Sequence, residues 1–135
     1  MRTAVEMPRV LVVDDDMTSR LTLQTLLKAG GYSVDAAASG AEAVEKMDER
    51  EYELVLSDVG MESPDAGYRV LAHARMMFYK PATAFITTHR TGSEGEPPSR
   101  SALVEPEDVP ELLARVADLI GRRASRRIVR RSKSQ

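Results

Sequence analysis

The chain has 135 residues, a formal net charge of -2 and no cysteine. That length supports one domain with a core of its own, and the missing cysteines exclude a disulfide framework and a thiolate metal site. No run approaches a membrane span and the first residues lack the basic-then-apolar form of a signal peptide, so a cytoplasmic protein without a membrane partner is expected.

The charge is unevenly placed. Seven of the basic side chains fall in residues 122–135, where there is no acid, leaving residues 1–121 with 21 acids against 12 bases. An acidic body does not grip nucleic acid; only the basic tail offers weak contact with a phosphate backbone.

Residues 1–8, ending in Pro8, read as a disordered lead-in. Val10-Leu11-Val12-Val13 is a short continuous apolar run, the mark of a strand buried in a parallel sheet. Met17 to Ala29 carries Leu21, Leu23, Leu26 and Leu27 at helical spacing and is stopped by Gly30-Gly31. Tyr32 to Ala37 reads as a second strand. Ser39 precedes Glu42 by three, the capping-box spacing, and opens a helix with Ala41, Ala43, Val44 and Met47. Leu54 to Ser57 is the third strand and ends at Asp58. Val59 to Gly67 is a loop, and Tyr68 to Met77 a helix with Val70, Leu71 and Ala74 inward.

Pro81 introduces a fourth strand over Ala82 to Thr87. Arg90 to Ser101 holds Gly92, Gly95, Pro97 and Pro98, which suits a loop or a turn or two of helix, since an interior proline costs about 3 kcal/mol. Ala102 to Val104 is a short fifth strand. Glu107 to Ile120, with Leu112, Leu113, Val116, Leu119 and Ile120 as its stripe, is the last helix; Pro110 falls early enough to do little harm. Beyond Gly121 the basic segment is expected to fray from that helix or to be disordered. Five strands alternating with helices make a three-layer, doubly wound α/β sandwich around a parallel sheet.

Two of the strands end in acids: Asp14, Asp15 and Asp16 follow the first, and Asp58 ends the third. Side by side and parallel, they bring those acids to one edge of the sheet, where open α/β sheets place their chemistry. Asp16 is better placed to cap the first helix than to act as a ligand. His73 and His89 have no ligand spacing, so zinc is not expected.

The residues Val10 to Asp16, Ser39-Gly40-Ala41-Glu42-Ala43, Leu54 to Val59, Asp65-Ala66-Gly67-Tyr68 and Phe85-Ile86-Thr87-Thr88 come in one order on one fold. Over about residues 9–121 the chain resembles the receiver domain of bacterial two-component response regulators. The resemblance implies a flavodoxin-like (βα)5 fold with a five-stranded parallel sheet, and residues 122–135 as a basic tail or the start of a linker. It implies that Asp58 accepts a phosphoryl group from a sensor histidine kinase or phosphotransfer protein. Asp14 and Asp15 then hold Mg²⁺ with the Asp58 carboxylate and the Gly60 carbonyl, and the Thr87 hydroxyl hydrogen-bonds the phosphoryl group. Output passes by protein contacts to an unidentified partner or a second copy of the chain, and no enzymatic activity is implied beyond phosphorylation and dephosphorylation of the domain itself.

An all-oxygen site of carboxylates and a carbonyl suits Mg²⁺ on its own chemistry. Four features depart from the family pattern. Glu105-Pro106 stands where the family has a lysine before a proline, which forfeits a charge-assisted bond commonly worth about 1.5–3 kcal/mol. Ala102 replaces the aromatic switch residue. The helix between the fourth and fifth strands is shortened or irregular. Pro64 lies six residues after Asp58, so that loop carries about one extra residue. Acids gathered in one cleft repel, which calls for a metal, or for an arginine such as Arg90 or Arg100. The alternative reading is a pseudo-receiver, the same fold used as an interaction or dimerisation module without phosphorylation.

Overall fold

A computed structural model describes residues 7–58, 65–86 and 109–134, with the side chains of the last segment as far as residue 126. Four strands and four helices alternate through these residues. The strands are β1 (Arg9–Val13), β2 (Ser33–Ala37), β3 (Leu54–Asp58) and β4 (Ala82–Ile86). The helices are α1 (Met17–Ala29), α2 (Gly40–Glu49), α3 (Ala66–Met76) and α4 (Val109–Ser134). The strands form one parallel sheet in the order β2-β1-β3-β4. The chain leaves β1 to one side for β2 and returns to the other side for β3. Between β1 and β3, therefore, the winding reverses, and a crevice opens at the carboxyl ends of the strands. The fifth strand expected over Ala102 to Val104, and the irregular segment from Arg90 to Ser101, lie outside the described residues.

The two apolar runs occupy the middle of this sheet. Val10 to Val13 have no exposed surface, and every residue of β3 is buried. Alternation along each strand then sorts side chains to two faces. Leu11, Val13 and Val55 pack with Ala43 and Met47 of α2 and with Val70, Leu71 and Ala74 of α3. Val10, Val12, Leu54 and Leu56 pack with Leu23 and Leu27 of α1 and with Val116 of α4. Helices cover both faces, giving the flavodoxin-like three-layer sandwich. Each fully buried valine or leucine contributes about 1.5–3 kcal/mol by leaving water.

Local signals set the helix ends. Asp16 caps α1 by accepting a hydrogen bond from the Ser19 amide at 2.9 Å. At the other end Gly31 takes φ +100°, the Tyr32 amide donates to the Leu27 carbonyl and the Gly31 amide to the Lys28 carbonyl, a Schellman closure. Ser39 Oγ accepts from the Glu42 amide at 3.1 Å, and Glu42 Oε1 in return accepts from the amide of Ala38.

Two helices differ from expectation. α3 starts at Ala66, two residues before Tyr68, because Ala66 and Gly67 pack against the sheet in its first turn. α4 does not stop at Ile120 but runs through Gly121 to Ser134. Arginine is a good helix former, Arg122 pairs with Asp118 one turn back at 3.0 Å, and Arg123 is buried against the body.

Candidate metal centre

The crevice between β1 and β3 is where the acids meet. Val13 of β1 pairs with Ser57 of β3, so the next residue on each chain, Asp14 and Asp58, leaves the sheet beside the other. The Asp14 amide donates to the Ala37 carbonyl at 3.0 Å, carrying the β1–β2 ladder one residue past the strand. Asp14 Oδ1 accepts from the Asp16 amide at 2.9 Å, and the Asp14 carbonyl accepts from Arg20 Nη1 at 3.0 Å. These bonds fold the Asp14-Asp15-Asp16 turn so that Asp16 faces α1 as its cap. The turn leaves Asp15 with the other two acids.

Asp14, Asp15 and Asp58 each offer a carboxylate oxygen, and the three atoms lie within 4.8 Å of one another. Asp14 and Asp58 have no exposed surface and Asp15 is half-buried. Oδ1 of Asp15 and Oδ1 of Asp58 are both shielded from solvent. Two carboxylates at that separation repel by about 3 kcal/mol at an effective dielectric of about 20. Three such pairs are a large charge to hold in one cleft, and a divalent cation is the counterion the arrangement suits. Hard oxygen donors are the ligands of Mg²⁺ and Ca²⁺ rather than of softer metals, so the donor set fits.

The start of α3 packs closely on the end of β3. A β-carbon on Gly67 would lie 3.0 Å from the Asp58 carbonyl oxygen, 3.1 Å from Phe85 Cε1 and 3.3 Å from Ser57 Oγ. The Phe85 ring makes an edge contact with Tyr68, centroids 4.8 Å apart.

A model of the response regulator receiver domain matches residues 10–96, well over half of the chain. The chain belongs to the response regulator receiver family. This receiver is 33% identical over 129 residues to transcriptional regulatory protein PrrA of Mycobacterium tuberculosis, covering 93% of the chain and 55% of PrrA. Over 56 residues it is 46% identical to transcriptional regulatory protein ZraR of Escherichia coli K12, covering 42% of the chain and 13% of ZraR. The receiver thus spans about half the length of the first relative and a small part of the second. Among solved structures it is similar to chemotaxis protein CheY4 of Vibrio cholerae, with 28% identity, a TM-score of 0.65 and coverage of 84% of this chain and 98% of that one. It is also similar to the receiver domain of the hybrid histidine kinase CckA, at 32% identity and a TM-score of 0.63, covering 83% of this chain and 98% of that one.

Of the site residues expected in the receiver from sequence, the structure brings together Asp14, Asp15 and Asp58 and assigns Asp16 to the helix cap. Gly60, Thr87 and Glu105 lie outside the described residues, as do Pro64, His89, Arg90, Arg100 and Ala102. His73 Nε2 sits 2.9 Å from Asp48 Oδ1, away from the acids of the cleft. Sequence reasoning took Gly67 as part of a loop and missed its place against Asp58; a glycine directly before an aromatic at a helix start was the available signal. No helix among the described residues is long and apolar enough to cross a membrane.

Proposed function

We propose that the receiver accepts a phosphoryl group on Asp58 from the phosphohistidine of a sensor histidine kinase or phosphotransfer protein. In that step an Asp58 carboxylate oxygen forms the new O–P bond, the P–N bond of the donor breaks, and the imidazole leaves with the electron pair and takes up a proton. Asp14, Asp15 and Asp58, with the Gly60 carbonyl, are the residues that would hold Mg²⁺. When bound, the cation neutralises charge on the oxygens of the transferring group. Asp14 and Asp15 set negative charge beside the Asp58 carboxylate, which the cation would balance. The Thr87 hydroxyl donates to a phosphoryl oxygen.

The observation that carries this reading is the meeting of three carboxylates within 4.8 Å at the β1/β3 switch point, with Asp58 at the end of a fully buried strand. We further propose a cytoplasmic signalling role through contacts with an output protein or a second copy of the chain, rather than any turnover of a separate substrate.

Glu105, in place of the family lysine, and Ala102, in place of the aromatic, favour a second reading. In it the domain is a pseudo-receiver that binds its partners irrespective of phosphorylation. Intact mass after treatment with a small phosphodonor, with and without Mg²⁺, separates the two. One phosphoryl group gained only with Mg²⁺, and absent in Asp58→Asn, is the result expected. No adduct and no Mg²⁺ binding would leave the pseudo-receiver. Mg²⁺ binding without an adduct would put the fault at Glu105, with Glu105→Lys as the repair.

A further inference from the structure

At the opposite end of the sheet, where β4 begins, a cleft of about 410 Å³ lies between the α3–β4 connection and α4. Its rim carries Arg75, Lys80, Arg122, Arg123 and Arg126, and no acid among the described residues lines it. Pro81, Ala82 and Leu119 supply an apolar floor. Ala82 pairs with Leu54 at the start of β3 while Ile86 pairs with Asp58 at its end, so about 13 Å of strand separates this cleft from the acids.

Two of the five cations already have carboxylate partners. Arg122 pairs with Asp118 at 3.0 Å, and Arg123 approaches Glu53 at 3.5 Å. Among the described residues no carboxylate pairs with Arg75, Lys80 or Arg126. Three positive charges therefore face one concave volume.

The cleft is built rather than incidental. Arg123 is only 4% exposed, and it donates through Nη2 to the Tyr79 carbonyl at 2.7 Å and through Nε to the Lys80 carbonyl at 3.0 Å. Lys80 has φ +42°, the only non-glycine residue in the left-handed region among the described residues. A lysine is held there at a cost, and such strain gathers where a site needs a fixed backbone. Lys80 Nζ in turn donates to the Arg75 carbonyl at 2.8 Å, tying the two ends of the connection together.

We propose that this cleft binds a compact organic polyphosphate of about nucleotide size. The volume lies in the range of small-molecule sites, a rim of arginines matches the forked hydrogen bonding of phosphate oxygens, and the apolar floor accommodates a carbon skeleton. A concave site of this size seats one small polyanion better than the convex backbone of a duplex.

The test is calorimetric titration of the full chain in Mg²⁺-free buffer, which keeps the probes from the carboxylate cleft. The probes are inorganic tripolyphosphate, adenosine triphosphate and a short DNA duplex. Saturable one-to-one binding of both triphosphates is expected, each displacing the other. Arg75→Gln and Arg126→Gln should each weaken it about tenfold and the double variant further, with the unfolding midpoint unchanged. Arg123 is left intact because its removal would disturb the fold. No saturable binding at millimolar triphosphate would overturn the proposal, as would equal affinity in the double variant. DNA binding that triphosphate fails to displace would also overturn it, by making the surface a backbone contact.

Discussion

Gly67 lies so close to Asp58 that a β-carbon there would meet the Asp58 carbonyl oxygen at 3.0 Å. The partner atom is main chain of a central strand, which cannot swing aside, and Phe85 closes the other side at 3.1 Å. Gly67→Ala should therefore push α3 off the end of β3. A loss of about 1–3 kcal/mol is expected, the usual range for overpacking. Urea unfolding gives the stability, and Mg²⁺ titration on the same variant should show weaker binding as the Asp58 backbone shifts. Unchanged values of both would mean that the helix yields without cost.

Arg123 makes a second prediction, about where the folded unit ends. Its guanidinium satisfies the Tyr79 and Lys80 carbonyls, and its side chain is buried. Ending the chain at Gly121 removes that cap from the α3–β4 connection and leaves two carbonyls unsatisfied. The truncated chain should be less stable by about 2–4 kcal/mol than one ending after Arg126, with Arg123→Ala reproducing most of the loss. Equal melting temperatures for the two truncations would assign residues 122 onward to a tail without structural weight.

These two residues also mark where the sequence was and was not legible. β1 and β3 were plain because strands buried on both faces cannot alternate, and their unbroken apolar runs end in acids that the parallel register then brings together. Gly30-Gly31 and Asp16 were readable because helix ends are satisfied locally, by residues a few positions away. Arg123 was not, since its partners lie more than 40 residues back in sequence and are backbone carbonyls, which carry no residue signature. Hydropathy counts a buried arginine as solvent-facing, so the basic run concealed the residue that anchors it. The start of α3 was missed for a related reason: Gly67 reads as a helix breaker until the neighbouring strand is in place.

Two tyrosines should make the fold sensitive to alkali. Burial pushes the Tyr79 phenol up to about 12, with the nearby Asp48 and Glu51 carboxylates adding to it. Burial also raises Tyr52, whose hydroxyl donates to Asp35 Oδ2 at 2.7 Å. In the unfolded chain both phenols ionise near pH ~10. Below that pH each is neutral in both states and stability is unaffected. Above it the unfolded chain loses protons that the folded chain still holds, so stability falls with rising pH toward about 12. Urea midpoints measured across that window should decline. In Tyr79→Phe, which loses only the hydrogen bond to the Met47 carbonyl, the decline should be shallower.

The carboxylate cleft predicts a trade between stability and metal binding. Asp14, Asp15 and Asp58 repel one another when no cation is present, and Asp58 is fully buried. Asp58→Asn removes one charge while keeping the shape, so the variant should be more stable than the wild type in metal-free buffer by about 1–3 kcal/mol. Adding Mg²⁺ should raise the wild-type melting temperature in proportion to the logarithm of its concentration once the site fills. The same addition should leave Asp58→Asn and Asp14→Asn nearly unmoved, so that the order of stability narrows or reverses at saturating metal. Thermal melts of the three proteins across a Mg²⁺ series measure both effects together. A wild type that neither gains from Mg²⁺ nor trails Asp58→Asn without it would show that the three acids do not act as one cation site, and the phosphoacceptor reading would lose its chemical basis.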